Sequence, residues 1–373
     1  MNNFFRLIIL SVLIAPGPSW SAIEQDVIDQ ADRASEIKAA SRIAKGTWLP
    51  IPIPVSNPTI GSGLQAALLY LHPQTSKEPN VPGATSGIMA MYTDTDTRLV
   101  GGFHDGSWEE DLYRFRIVAG SGVFNLDYFG STADSSFRDN PVPYSLDSDF
   151  LLSQLLRRIP GTLNWYLGLR YMYSDANVVF DPGSVVPGLP PIGGELKTSS
   201  LGLMLTYDSR NNNYYPTSGS QAEAVWMSDK ETWGSDFEFN KFTSFYNYYH
   251  QLSPKDTLAY RARLATTDGN VPFYLLPSLN LRGFAAGVYK DNSSISGHIE
   301  WRRKFLPRWG LMLFYEAGSV ADSVDSLFQS ETISSFGGGI RWQVSEDKKL
   351  NLGIDVGYSD GDNAIYIQVG EKF

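Results

Sequence analysis

Arg282 is the residue of this sequence best placed for chemistry that depends on charge. It stands in Leu281-Arg282-Gly283-Phe284, where an apolar anchor, a fixed cation, a flexible glycine and an aromatic ring follow one another, with the small residues Ala285, Ala286 and Gly287 behind them. A loop tip of this composition is poorly suited to solvent. Three carboxylates, Glu300, Glu316 and Asp355, stand on later alternating segments. The planar guanidinium of arginine binds carboxylates through paired hydrogen bonds. The expected chemistry is therefore an ion-pair lock, with the loop folded back onto acidic partners. Reactive chemistry has little support. The four histidines, at positions 72, 104, 250 and 298, have no metal-ligand spacing. The chain has no cysteine and no Gly-x-Ser-x-Gly element. No enzymatic activity, metal or cofactor is expected. A formal charge of −10 without a Lys/Arg-rich run excludes nucleic acid as a partner, because phosphate neutralisation needs clustered cations.

The segments that must position these groups alternate with period two. From Gly61 on, Leu64, Ala66, Leu68 and Tyr70 form an apolar face; near the other end, Leu352, Ile354, Val356 and Tyr358 oppose Asn351, Gly353, Asp355 and Gly357. By the same parity, Ser296, His298, Glu300 and Arg302 share a face, as do Met312, Phe314, Glu316 and Gly318. Alternation with lipid outside and lumen inside is the signature of a membrane β-barrel, and all three carboxylates can then point inward. The 13% of aromatic residues suits the girdles of such a barrel. Residues 1–22 read as a secretory signal peptide: Arg6, an apolar run from Leu7 to Ala15, and small residues near Ala22. That apolar run is too short to span a bilayer as a helix, and no other segment approaches the length required. Residues 23–60 read as a periplasmic lead-in, amphipathic and helical from Glu24 to Lys45, then extended through the prolines of Trp48 to Pro58. Residues 61–373 read as the barrel. Turn signals, including one at Ala119–Gly122, divide it into sixteen antiparallel strands, with the Arg282 loop, Asn270–Ser294, on the extracellular side. In the final strand, Ile365, Ile367, Val369 and Phe373 share a face that parity assigns to lipid, with Glu371 departing from it near the rim.

Three stretches carry a resemblance to a known family. Leu281-Arg282-Gly283-Phe284 resembles the [V/L/I]-R-G-[F/Y] motif of the BamA/TamA-like superfamily, the bacterial surface antigen barrels. Asp208-Ser209-Arg210-Asn211, followed by Pro216 and Gly219, resembles that family's Asp-x-Arg turn. Phe314-Tyr315-Glu316-Ala317-Gly318 resembles its Phe-x-Asp-Ala-Gly strand, with Glu316 where aspartate is usual. The resemblance covers roughly Pro50 to Phe373. It implies an all-β, antiparallel transmembrane barrel in the outer membrane of a Gram-negative bacterium, with Arg282 latching the loop against inner-wall carboxylates. It also implies Asp208, Arg210, Pro216 and Gly219 as a periplasmic turn, and Phe373 as a C-terminal sorting signal read by the barrel assembly machinery. The residues ahead of the first expected strand are too few for a POTRA domain of the kind that assembly members carry.

Two functions follow as expectations. One is assistance to the insertion or translocation of polypeptide or lipid through a latched lumen and a seam between the first and last strands. Its partners are outer-membrane lipid and a polypeptide client or a separate periplasmic protein; a homodimer is compatible with it. The other is a passive channel or structural barrel without a client.

Overall fold

A computed structural model describes residues 46–73, 84–131, 137–212, 215–345, 350–359 and 363–373. The expected signal peptide and the expected helix from Glu24 to Lys45 lie outside the described residues. The described chain is one antiparallel sheet of 16 strands, each paired with its neighbours in sequence. In order they are β1 (Thr47–Asn57), β2 (Gly61–Leu71), β3 (Thr85–Thr93), β4 (Arg98–Trp108), β5 (Tyr113–Tyr128), β6 (Val142–Arg158), β7 (Trp165–Phe180) and β8 (Ile192–Asp208). The second half comprises β9 (Gly219–Asp229), β10 (Phe239–Gln251), β11 (Asp256–Gly269), β12 (Ser293–Leu306), β13 (Trp309–Ala321), β14 (Ile333–Ser345), β15 (Leu350–Ser359) and β16 (Asn363–Val369). No described helix is long and apolar enough to cross a membrane, which says nothing of crossing by strands.

The alternation read from the sequence becomes two faces. On β3, Met89 and Met91 are buried inside while Ile88 (62% exposed) and Tyr92 point outward. The inner face is itself divided. Along β1 to β5 it is mostly apolar, with Ile51, Val55, Leu69, Met89, Met91, Leu99, Phe103, Val118 and Phe124 in one buried cluster, beside buried Gln65 and the Arg116–Asp105 pair. Along β11 to β15 it carries buried Arg261, Glu300, Arg302, Glu316, Arg341 and Asp355.

The strand boundaries differ from the expectation in two places. The proline-rich lead-in is a strand: Thr47–Asn57 pairs with β2 over its whole length, so the sheet begins before residue 61. Proline removes a ladder donor only on the side its nitrogen faces. Pro50, Pro52 and Pro54 share one parity, which leaves the intervening residues free to pair with β2. Conversely, Ala119–Gly122 is not a turn but the middle of β5, where Gly120 pairs with Gly101 of β4. Its small residues accommodate close strand approach instead of reversing the chain. These two changes compensate in the count, but they exchange the ends assigned to the earliest connections. The strand ends at Leu71 and Thr85 and the connection at 109–112 lie at the end of the sheet that also holds 159–164, opposite the Arg282 loop.

β1 and β16 are the two edges of the sheet and lie side by side. Among the described residues no ladder joins them.

Candidate functional site

The loop between β11 and β12, residues 270–292, folds into the sheet's interior rather than outward. Leu279, Leu281 and Phe284 are buried against Val320 and Ile333, with Tyr289 beside them. Burying these side chains draws the intervening Arg282 down with them. Gly283 has φ +99, a left-handed conformation that favours glycine. Its N–H donates to the Tyr366 hydroxyl at 2.7 Å, and its carbonyl accepts from Ser359 Oγ at 3.0 Å. The loop lies so close to β15 that a Cβ on Gly357 would stand 2.9 Å from the Gly283 nitrogen.

Arg282 is 1% exposed and meets all three carboxylates. Its Nε donates to Glu316 Oε1 at 2.8 Å, one terminal nitrogen to Glu300 Oε1 at 2.6 Å and the other to Asp355 Oδ2 at 3.1 Å. Its backbone N–H donates to Glu316 Oε2 at 2.6 Å. The guanidinium stacks 3.5 Å over the Phe314 ring. Burial works against the charge of Arg282, but Glu316, Glu300 and Asp355 outweigh it and hold its pKa above the usual arginine value.

The network is larger than the sequence reading anticipated. Arg302 donates to Glu300 Oε2 at 2.7 Å, and Arg341 grips Asp355 through both terminal nitrogens. Glu371 accepts from Arg341 Nε at 2.9 Å and from Asn351 at 2.8 Å. Lys372 Nζ lies 3.1 Å from Glu316 Oε1 and from the Asn280 carbonyl. Arg282, Arg302, Arg341 and Lys372 thus face Glu300, Glu316, Asp355 and Glu371, four cations against four carboxylates. Balanced pairing of this kind is what lets so many charges be buried. Parity on β14, where Arg341 lies across from Gly353, was the available signal for Arg341; Arg302 already shared the polar face of Glu300.

The end of the chain corrects a further expectation. β16 stops at Val369, Gly370 turns with φ +80, and the next three residues enter the interior. Phe373 is not on the lipid face. Its ring packs with Tyr249 and Ala259, and 6.0 Å from His298, while Arg302 donates to its carbonyl at 2.7 Å. Glu371 is likewise buried, not at a lipid-facing rim. The parity argument failed because it assumed the strand continued through Gly370. Burial pushes Lys372 down to about 8, a fall that Glu316 only partly offsets.

The Asp208 group is separate from this network. Arg210 clasps Asp208 at 2.8 Å, and Asn211 accepts from the N–H groups of Thr217 and Ser218 at 3.0 and 3.2 Å. Pro216 is buried beside Tyr215, and Gly219 opens β9. The group closes the connection between β8 and β9, at the end of the sheet opposite the Arg282 loop. Among the described residues no cluster of His, Asp and Glu could hold a metal.

Residues 124–373 match the Omp85 superfamily domain. The chain belongs to the Omp85 superfamily. It is accordingly an outer-membrane β-barrel of the Gram-negative type. Among solved structures, BamA from Haemophilus ducreyi lacking POTRA domains 1–3 superposes with a TM-score of 0.58 at 17% identity, covering 88% of this chain and 70% of that one. CdiB from Escherichia coli gives 0.59 at 10% identity, with 88% and 63% covered. CdiB from Acinetobacter baumannii gives 0.56 at 10% identity, with 88% and 60% covered. At such identities these likenesses show the Omp85 fold. The chain spans less than two thirds of either CdiB. No curated protein sequence matches it.

Proposed function

We propose that this Omp85 barrel assists the insertion or translocation of polypeptide or lipid at the outer membrane, by opening the seam between β1 and β16 under control of the Arg282 latch. The observation that carries the proposal is that the two edge strands lie adjacent with no ladder between them among the described residues. Every other neighbouring pair in the sheet has a register. In a bilayer, unsatisfied backbone groups are costly, so an unladdered seam is the place where such a barrel opens. The loop and the residues after β16 both bind Glu316, through Arg282 and Lys372, which joins latch and seam mechanically. Asp208, Arg210, Pro216 and Gly219 serve as a periplasmic turn, and burial of Phe373 completes the latch. Outer-membrane lipid and the barrel assembly machinery are partners in biogenesis; no catalytic step is part of the reading.

A passive channel is the competing reading. The buried apolar inner wall of β1 to β5 and the inserted loop disfavour a wide, steady pore. The test is a disulfide engineered between β1 and β16, in a chain that has no cysteine of its own. Planar-bilayer conductance and outer-membrane integrity are compared with the bond formed and reduced. Loss of function in cells with the bond formed supports the seam. Large steady conductance, unchanged by the bond, would establish the channel instead.

A further inference from the structure

The end of the sheet opposite the Arg282 loop has the short connections: 252–255 and 307–308 there, against 270–292 and 322–332 at the other end. Short turns face the periplasm in barrels of this kind. On β12, Trp301, Arg303 and Phe305 have the parity of outward Ile299, opposite to buried Glu300 and Arg302. Trp309 opens β13 on the outer side and lies across from Trp342 of β14. Three indoles and an arginine therefore share one stretch of the outer rim.

Charge sets this stretch apart. The Arg303 side chain is 46% exposed, and Lys255 and Arg308 are exposed in the two adjoining turns. The turns are tied together, because the Lys304 N–H donates to the Lys255 carbonyl at 2.8 Å. Lys304 itself turns inward, with Nζ 4.7 Å from the Tyr215 ring. Against three outer cations the described residues of these turns and strand ends set one outward carboxylate. It is Asp256, which accepts from Arg303 at 2.9 Å and from Ser253 at 2.6 Å. The neighbouring connection, 346–349, is Glu-Asp-Lys-Lys and adds no net charge in sequence. Other cations at this end are offset: Glu109, Glu110 and Asp111 adjoin Arg114, Arg157 and Arg158, and Asp208 holds Arg210. In a chain of formal charge −10, three cations against one carboxylate is a local reversal.

These residue types fit one ligand. Tryptophan settles at the level of lipid headgroups. Arginine and lysine beside it reach the phosphates while their stems stay on the apolar side. Basic groups at a bilayer surface favour anionic lipid. We propose that the β12–β13 hairpin and the β10–β11 turn form a binding site for an anionic phospholipid of the periplasmic leaflet. Its phosphate lies against Arg303, Lys255 and Arg308, its glycerol region against Trp301 and Trp309, and its acyl chains along the outward apolar residues of β11 to β13. Arg302 and Arg303 adjoin on one strand, the first bound to Glu300 at 2.7 Å and the second facing lipid. The bound lipid thus fastens to the membrane a strand that carries one of the latch carboxylates. The site is independent of the seam, since ladders join β11 through β14.

The test uses the full chain, folded in a non-ionic detergent and given equimolar cardiolipin and phosphatidylcholine, with the retained lipid counted by native mass spectrometry. Cardiolipin should exceed phosphatidylcholine by roughly tenfold or more, from about fivefold for each uncompensated cation. The combined variant Lys255→Gln, Arg303→Gln, Arg308→Gln should bring the two lipids to parity. Heat-modifiable gel mobility checks that it folds. If it does not, Lys255→Gln with Arg308→Gln, confined to exposed turns, should lose most of the preference. Arg157→Gln, at a position where carboxylates balance the charge, should leave the preference unchanged. Glycerol phosphate in large excess should not displace cardiolipin, because it lacks the chains that the outer face holds. Equal retention of the two lipids by the unaltered chain, or an undiminished preference in the combined variant, would overturn the proposal. So would an equal loss in Arg157→Gln, or displacement by glycerol phosphate.

Discussion

At Arg282 the interior is closed to bulk solvent: the side chain and all three of its carboxylate partners are at most 1% exposed. Arg282→Ala leaves four carboxylates facing three cations out of reach of bulk solvent, and breaking a buried pair costs about 3–5 kcal/mol. That cost falls on the docked loop, since the barrel's backbone ladders are untouched. Limited proteolysis should show cleavage within 270–292 while heat-modifiable mobility of the barrel persists. Arg282→Lys should recover only part of the protection, because a single ammonium cannot serve three carboxylates in the fork geometry. Lys290 in the same loop gives a pH dependence. Burial lowers its pKa to about 7 from 10.5, with Nζ 4.7 Å from the Tyr128 ring and 5.1 Å from that of Phe273. Below its docked pKa the loop must hold a charge that water would hold better. As pH rises from there to the free value, the docked form sheds a proton that the undocked form keeps. Docking therefore strengthens with pH across that window, by up to about tenfold per pH unit, and is at its weakest and independent of pH below it. Protease protection of the loop measured against pH should follow this course, and Lys290→Met should flatten it.

Among the elements, the segment after β16 is the one whose position most alters the reading of the molecule. Glu371, Lys372 and Phe373 bind the inner wall that the Arg282 loop also binds, so the end of the last strand is fastened from within. Phe373→Ala empties a buried site between Tyr249, Ala259 and His298. Buried Phe→Ala changes cost about 3–5 kcal/mol, and the temperature of the heat-modifiable gel shift should fall accordingly. Lys372→Met should instead leave that temperature nearly unchanged while loosening the loop, because Lys372 ties Glu316 to the Asn280 carbonyl. Proteolysis at 270–292 distinguishes the two variants. The β8–β9 connection is independent of both: its Asp208–Arg210 clasp lies in another part of the fold.

Among the described residues the sheet has one junction without a ladder, β1 to β16, and on the proposed reading three prolines set its strength. Restoring donors with the combined Pro50→Thr, Pro52→Thr and Pro54→Thr variant should add up to three ladder hydrogen bonds between β1 and β16. Each contributes about 0.5–1.5 kcal/mol net. The gel-shift temperature should rise and the seam should open less, read as faster disulfide formation between cysteines placed on the two strands. If the temperature falls or disulfide formation slows, the prolines do not face the seam. The division of the inner face, apolar for the most part along β1 to β5 and charged along β11 to β15, puts the seam between β1 and β16 where the two parts meet.

Much of this protein was legible in its sequence because barrel strands obey a local rule. A period of two puts Glu300, Glu316 and Asp355 on inward positions whatever the rest of the chain does, and the apolar neighbours of Arg282 mark a loop that must be buried. Composition and motifs sufficed for the class and the outer membrane. What parity could not decide was where a strand stops or whether it pairs. The prolines of β1 look like an interruption until β2 supplies a partner on the side that their nitrogens leave free. Ala119–Gly122 looks like a turn until β4 runs alongside it. Phe373 looks lipid-facing until the chain turns at Gly370 and delivers it to Tyr249, more than a hundred residues away in sequence. The charge balance of the interior likewise belongs to the tertiary structure, because Arg341, Glu371 and Lys372 come from separate segments. Strand periodicity is a property of the local backbone; edges, seams and ion-pair networks depend on which distant strand arrives beside it.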